Sequence, residues 1–253
     1  MFMEERKEKI LAYIKNQTRA TVHDLTSYFQ VSESTIRRDL KELEESNHIK
    51  RTHGGAVLAQ SVSYEQTMLE KEKEFVEEKQ AIARKAVTFI EPGDTILLDS
   101  GTTTYELSKE LKSLPKLSIV TNSVAIMQEL AKNPSHDVML LGGSFRRETS
   151  ALVGPFAEQS LKMIRIDKAF IGINGIDLKE GILTTPNLME ATIKRLMIER
   201  ARQSILLSDH SKVNKVNFAK VADLNDINDY IFDELPLDVT ERIESYGVNV
   251  HLI

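Results

Sequence analysis

The chain has 253 residues, 41% of them apolar and 28% charged, with a net charge of −5. That composition fits one large domain, or a medium domain with a small partner, and excludes a disordered or fibrous chain. The absence of cysteine excludes disulfides and thiolate metal sites and fits a reducing compartment. The acidic start Met1-Phe2-Met3-Glu4-Glu5-Arg6 is unlike a secretory signal, and no apolar run approaches the roughly 20 residues that span a bilayer; a cytoplasmic protein is expected.

Glu4–Gln17 sets Ile10, Leu11 and Ile14 on one side among charges, which predicts an amphipathic helix. Thr21 reads as the N-cap of a second helix, with Asp24 three residues on and Val22, Leu25, Tyr28 and Phe29 within it. After the turn at Gln30-Val31, Ser32 caps a third helix, Glu33–Glu45, whose Ile36, Leu40 and Leu43 face inward. Helix, helix, tight turn, helix is the helix-turn-helix pattern. The 3.6-residue period leaves Ser34, Thr35, Arg37, Arg38 and Lys41 on the sides or outside of the third helix. Hydroxyls and arginines near a helix N-terminus suit base edges and phosphates in a major groove. The first sixty residues carry ten bases against nine acids, so this reading rests on where the bases sit. Beyond the helix, Ile49–Thr52, the turn His53-Gly54-Gly55 and Ala56–Leu58 predict a two-stranded wing. It places Lys50 and Arg51 near a phosphate backbone, with His53 supporting the turn or touching a phosphate.

The run Ser32-Glu33-Ser34-Thr35-Ile36-Arg37-Arg38-Asp39-Leu40, followed by Arg51-Thr52-His53-Gly54-Gly55-Ala56, resembles the signature of the DeoR family of bacterial sugar-metabolism repressors. One departure is Asn47, where that family has glycine; asparagine is the next best residue in a left-handed backbone. The resemblance implies residues 1–59 as a winged helix-turn-helix domain. A small reading module of this kind binds tightly as two or more copies on repeated half-sites, so a homo-oligomer, dimer or tetramer, is expected on double-stranded operator DNA.

Ala59–Lys79 is polar and dense in i,i+4 charge pairs, which predicts an exposed connecting helix, with residues 60–79 as linker. Gln80–Ile90 turns apolar and opens a domain at 80–253. There, short β-rich runs (Thr95–Leu98, Leu117–Val120, Val138–Leu141, Ala169–Ile173, Ser204–Leu207, Tyr230–Phe232, Val248–Ile253) alternate with amphipathic helices at Thr103–Leu111, Val124–Lys132, Pro155–Ile164, Leu188–Gln203 and Val239–Tyr246. This is an α/β pattern, a mostly parallel sheet with helices on both faces. Ligands of such sheets collect at the carboxyl ends of the strands.

Five strand ends are polar. They are Asp99-Ser100-Gly101-Thr102-Thr103-Thr104, Thr121-Asn122-Ser123, Gly142-Gly143-Ser144-Phe145-Arg146, Gly172-Ile173-Asn174-Gly175-Ile176-Asp177 and Ser208-Asp209-His210-Ser211-Lys212. The first opens a helix and so presents free N–H groups and the positive end of the helix dipole to an anion. Small residues admit a ligand, hydroxyls and amides bond sugar hydroxyls, and Arg146 and Lys212 supply cations. That chemistry suits a phosphorylated sugar.

These fragments, from about Ala83 to Asp233, resemble the C-terminal sensor domain of the DeoR family. The resemblance implies a fold related to ribose-5-phosphate isomerases and coenzyme A transferases, the Asp99–Thr104 loop on the phosphate with Lys212 and Arg146 nearby, and relief of repression by the bound sugar phosphate. The alternative is a sugar-phosphate isomerase on the same scaffold, with Asp99, Asp177, Glu190 and Asp209 as its available acids. Asn174 and Gly175 stand where isomerases of this fold have an acid-rich loop. An amide is no base, so the pattern favours binding without turnover and a non-enzyme. No G-x-G-x-x-G follows a strand, and His23, His48, His53, His136, His210 and His251 are scattered, so neither a dinucleotide cofactor nor a metal is expected.

Overall fold

The computed structural model describes residues 3–17, 19–46, 48–52, 54–58, 65–132 and 134–253. They divide into two compact units, Met1–Gln66 and Thr67–Ile253.

In the first unit, helix α1 (Met3–Gln17), strand β1 (Arg19–Thr21), helices α2 (Val22–Phe29) and α3 (Glu33–Glu45), and strands β2 (Ile49–Thr52) and β3 (Gly55–Leu58) follow one another. The caps are those the sequence predicts. Thr21 and Asp24 form a reciprocal capping box at α2, and the Ser32 side chain accepts the Thr35 N–H at α3. Ile10, Ile14, Val22, Leu25, Ile36, Leu40, Leu43 and Ile49 form one apolar core. The predicted wing gains a third strand, giving the antiparallel order β1-β3-β2. A three-residue strand is too short to show an alternating pattern. Its signal is Gly55 instead, where a Cβ would lie 1.9 Å from the Ala20 carbonyl oxygen. Only glycine lets the two backbones close.

The expected connecting helix over 59–79 needs correction. Residues 59–64 lie outside the described ones, and from Thr67 the chain forms α4 (Met68–Lys71), a turn, and the start of α5 (Val76–Val87), within the second unit. Met68 and Lys79 are buried there. The charge pairs concealed this, because Lys79 shares the buried face of α5 with Ile82, Ala83 and Ala86.

The second unit continues through β4 (Thr95–Leu98), α6 (Thr102–Glu110), β5 (Ser118–Thr121), α7 (Val124–Leu130), β6 (Asp137–Leu140), β7 (Ser144–Arg146), β8 (Ala151–Val153), α8 (Pro155–Lys162) and β9 (Ile166–Gly172). It ends with β10 (Gly175–Asp177), β11 (Ile182–Thr185), α9 (Leu188–Arg200), β12 (Ala201–Leu207), β13 (Ala219–Asp223), β14 (Asp229–Phe232), α10 (Leu237–Glu244) and β15 (Asn249–Leu252). The seven strands predicted from apolar runs form one sheet in the order β15-β14-β12-β9-β4-β5-β6, with every pairing parallel. The period of two divides the core. Ile96, Leu98, Phe170, Ile205 and Ile231 pack with α5, α6 and α7 on one face. Leu97, Ala169, Ile171, Leu206 and Tyr230 pack with α8 and α9 on the other.

Two short antiparallel pieces lie outside that pattern, the hairpin β7-β8 and the sheet β10-β11-β13. The stretches around Ser144–Arg146 and Gly175–Asp177 are therefore strands rather than loops. From β4 the chain builds outward through β5 and β6, then returns to place β9 on the other side of β4. The β4/β9 boundary is the switch point where an open α/β sheet leaves a crevice beyond its strand ends.

Candidate functional site

On α3 the inward face is closed by Ile36, Asp39, Leu40 and Leu43, while Ser34, Arg37, Arg38 and Lys41 are exposed and Thr35 is half-buried. The start of the helix is ordered by the Ser32 hydroxyl, 2.8 Å from the Ser34 and 2.9 Å from the Thr35 hydroxyl. Arg37 pairs with Glu33 at 3.2 Å and Lys41 with Glu45 at 3.7 Å; these exposed pairs are weak enough to be exchanged for phosphate. Arg51 on the wing is held more firmly. Its Nε lies 2.7 Å from Glu44 and its backbone N–H donates to the same carboxylate at 2.8 Å, so it also ties β2 to the end of α3. Lys50 is half-buried. His53 and Asn47 lie outside the described residues.

In the second unit, the predicted loop after β4 lies at the switch point. Thr104 donates its hydroxyl back to the carbonyls of Asp99 at 2.6 Å and Gly101 at 3.0 Å, closing the turn. Ser100 N–H donates to Asn122 Oδ1 at 3.0 Å. No side chain caps α6, which leaves its first-turn N–H groups for another acceptor. Ser100, Gly101, Thr102 and Thr103 line a cleft with Gly172, Ile173 and Asn174 at the end of β9 and Ser208, Asp209 and Lys212 beyond β12.

Several expected contacts serve the scaffold instead. Asp99 is buried; its Oδ2 pairs with Lys194 of α9 and accepts the Gly172 N–H at 3.0 Å. Burial pushes its carboxyl up and Lys194 opposes that shift. The pair bolts β4, β9 and α9 together beneath the cleft. Thr104 and Asn122 brace the loop, and Asn122 also donates to Leu152 O at 3.3 Å. Gly142 and Gly143 lead into β7 and do not line the cleft; a Cβ on Gly143 would come within 2.5 Å of the Val153 carbonyl oxygen. Gly175 belongs to β10, where a Cβ would stand 2.3 Å from Lys215 O. Arg146 does not line the cleft itself and pairs with Glu190 of the wall, at 2.7 Å.

The cleft also contains residues that sequence reasoning missed, Met68 and Lys71 of α4, Lys79 of α5, Thr149 and Lys194 of α9, together with Glu190 of α9, which the sequence singled out only as an available acid for an isomerase. Lys79 Nζ donates to the carbonyls of Lys71 and Glu74, and burial lowers its pKa, with Asp209 opposing and Lys212 adding to the shift. Glu190 takes the Thr149 hydroxyl as well as Arg146. The signal was a charge on a buried stripe. Glu190 and Lys194 share the α9 face of Ala191, Met197 and Ile198, and ionised groups are rarely so buried without a partner or a task.

Asp209 completes the site. Its Oδ1 accepts the Ser211 N–H at 3.0 Å. Its buried Oδ2 has no hydrogen-bond partner among the described residues, with Lys212 Nζ 3.5 Å away. Burial works against its ionisation, but Lys212, Ser211 and Lys79 outweigh burial and hold the carboxyl below the ordinary carboxylate range. Four lysines (Lys71, Lys79, Lys194, Lys212) face two carboxylates (Glu190, Asp209) along the lining. The excess is positive, beside an uncapped helix start. That arrangement can hold a dianion, while Asp209 can accept a hydroxyl.

Among the described residues no helix is long and apolar enough to cross a membrane, and no group of three or more His, Asp or Glu could hold a metal ion. The model of the DeoR-like helix-turn-helix domain matches residues 6–62, and that of the DeoR C terminal sensor domain matches residues 74–234. The chain is 41% identical over 251 residues to the HTH-type transcriptional regulator GlpR of Haloferax volcanii, covering 99% of this chain and 98% of that protein. It is 35% identical over 245 residues to the lactose phosphotransferase system repressor of Staphylococcus epidermidis, covering 96% of each. Ribose 5-phosphate isomerase A of Methanocaldococcus jannaschii superposes with a TM-score of 0.41 at 18% identity, over 54% of each chain. Matched by both family models along most of its length, the chain belongs to the DeoR family of transcriptional regulators and is a regulator rather than an enzyme.

Proposed function

We propose that the protein represses a sugar-utilisation operon and leaves its operator when a phosphorylated sugar fills the cleft of the second unit. The observation that carries this reading is the cleft at the β4/β9 switch point. An uncapped α6 start and four lysines there favour a phosphate, and the buried Asp209 Oδ2, which has no hydrogen-bond partner among the described residues, favours a hydroxyl-bearing body attached to it. A relative named as the repressor of a lactose phosphotransferase system agrees with the sugar assignment. The site residues are Ser100, Gly101, Thr102, Thr103, Asn174, Asp209 and Lys212, joined by Lys79 and Lys194. The partner is double-stranded operator DNA bound by a homo-oligomer, because one small reading module covers only a half-site. The reading requires no cofactor.

The ligand acts only through a difference in its affinity for the DNA-bound and DNA-free states. A coupling of about 2–3 kcal/mol lowers operator affinity roughly 30- to 150-fold. A panel of sugar phosphates, tested by thermal shift and by release of bound DNA, tests the proposal. A true effector at a hundred times its Kd adds about 2.7 kcal/mol of stability, and the same compound releases DNA. If no member of the panel does both, the proposal is wrong.

A further inference from the structure

The apolar stripe of α3 is interrupted by one charge. Asp39 lies three residues after Ile36 and four before Leu43, is fully buried, and follows the exposed Arg38 directly. From α1, Arg6 meets it with both arms of its guanidinium, Nε at 2.5 Å from Oδ2 and a terminal nitrogen at 3.0 Å from Oδ1. One position further along the same seam, Lys7 Nζ reaches Glu42 at 3.0 Å. The remainder of the α1–α3 contact is made by Ile10, Ile14, Ile36, Leu40 and other apolar side chains of the core.

Apolar side chains fill space, but they fix the axial position and rotation of a helix only loosely, since shape-conserving shifts between ridges cost little. A planar two-point ion pair permits one separation and one rotation. Buried pairs seldom improve stability over apolar residues of the same volume, and their best-attested use is to fix register. We propose that Arg6 and Asp39 are positioning residues for DNA reading. Their pair sets the rotation and height of α3, and hence which base edges Ser34, Thr35, Arg37 and Arg38 meet, while neither residue touches DNA. This rests on α3 being the helix that enters the groove.

The test uses the full chain and two variants, Arg6→Lys, which keeps the charge and loses the fork, and the apolar pair Arg6→Met with Asp39→Leu. A duplex is first selected by the wild type from a randomised DNA pool. Its affinity relative to a shuffled duplex, the salt dependence of binding and thermal unfolding are then measured for all three proteins. For both variants we expect the preference for the selected duplex to fall about tenfold or more, the order of one mispaired base contact. The salt slope stays as in the wild type, because the phosphate contacts remain, and the apolar pair unfolds at or above the wild-type temperature. A merely structural pair would move unfolding and leave the preference alone. Wild-type preference in Arg6→Lys, or in the folded apolar pair, overturns the proposal, and the Lys variant decides it if the apolar pair does not fold. A wild type that enriches no duplex would instead overturn the DNA-reading assignment on which it stands.

Discussion

The two units hold their charges in opposite ways. In the first, the residues proposed to read DNA lie within one short stretch, from Ser32 to Arg51, with the cations mostly exposed around an apolar core. In the second, the cleft is assembled from α4 and α5, from the loops after β4, β9 and β12, and from α9, and most of its charges are buried. The exposed cations of α3 are held only by weak ion pairs that phosphates could replace. The cleft is preorganised, with carboxylates and lysines held in place before any ligand arrives. Removing a charge should therefore cost stability in the second unit and DNA affinity in the first.

The largest expected effect follows from breaking the bolt beneath the cleft. Lys194→Met leaves Asp99 buried without its cation and should destabilise the second unit by about 3–5 kcal/mol, read from the denaturant midpoint. A loss below about 1 kcal/mol would show that the pair does not hold β4, β9 and α9 together. Next is Lys212→Ala. Losing a charge-assisted contact of about 1.5–3 kcal/mol should weaken sugar phosphate binding roughly 10- to 150-fold in calorimetry and leave DNA affinity as it was. Normal release of DNA by the effector in this variant would remove Lys212 from the site.

On the exposed side, Arg38→Ala should barely move the unfolding temperature. If Arg38 meets a phosphate, it should weaken binding to every duplex alike and reduce the salt slope by about 1. A loss confined to one sequence would assign it to a base edge instead. The smallest effect concerns His210, whose Nδ1 pairs with Asp233. Asp233 raises the imidazole pKa above its ordinary value, against a smaller effect of burial. The folded state then binds the proton more tightly than the unfolded chain does. The pair's contribution is complete below about pH 6.5, the unfolded value, and is lost as pH rises through the raised folded pKa. The stability difference between the wild type and His210→Gln should shrink in that direction; a constant difference would contradict the assignment.

The same contrast explains what the sequence makes legible. The reading helix, its Ser32 cap and the wing are local, so period, cap and turn residues sit side by side in the chain. All seven sheet strands are visible as apolar runs; the inner ones are largely buried on both faces, while the edge strands β6 and β15 are only partly covered. The cleft is visible only in part. The loops after β4 and β12 announce themselves by composition, but Lys79 lies among glutamates that resemble an exposed helix, and Lys194 is an ordinary lysine until α9 turns it onto Asp99. Gly142, Gly143 and Gly175 mislead in the other direction. At Gly143 and Gly175 the lack of a side chain admits a neighbouring backbone, and sequence alone does not distinguish that from admitting a ligand.

A ligand in the cleft and DNA on α3 are proposed to weaken each other's binding through one coupling free energy. Coupling of that kind is reciprocal. The most direct test is the dissociation constant of the releasing sugar phosphate, measured by calorimetry with the full chain free and then saturated with its selected duplex. DNA is expected to weaken the sugar phosphate by the same factor by which the sugar phosphate weakens DNA, roughly 30- to 150-fold for a coupling of about 2–3 kcal/mol. Equal dissociation constants in the two states would contradict it.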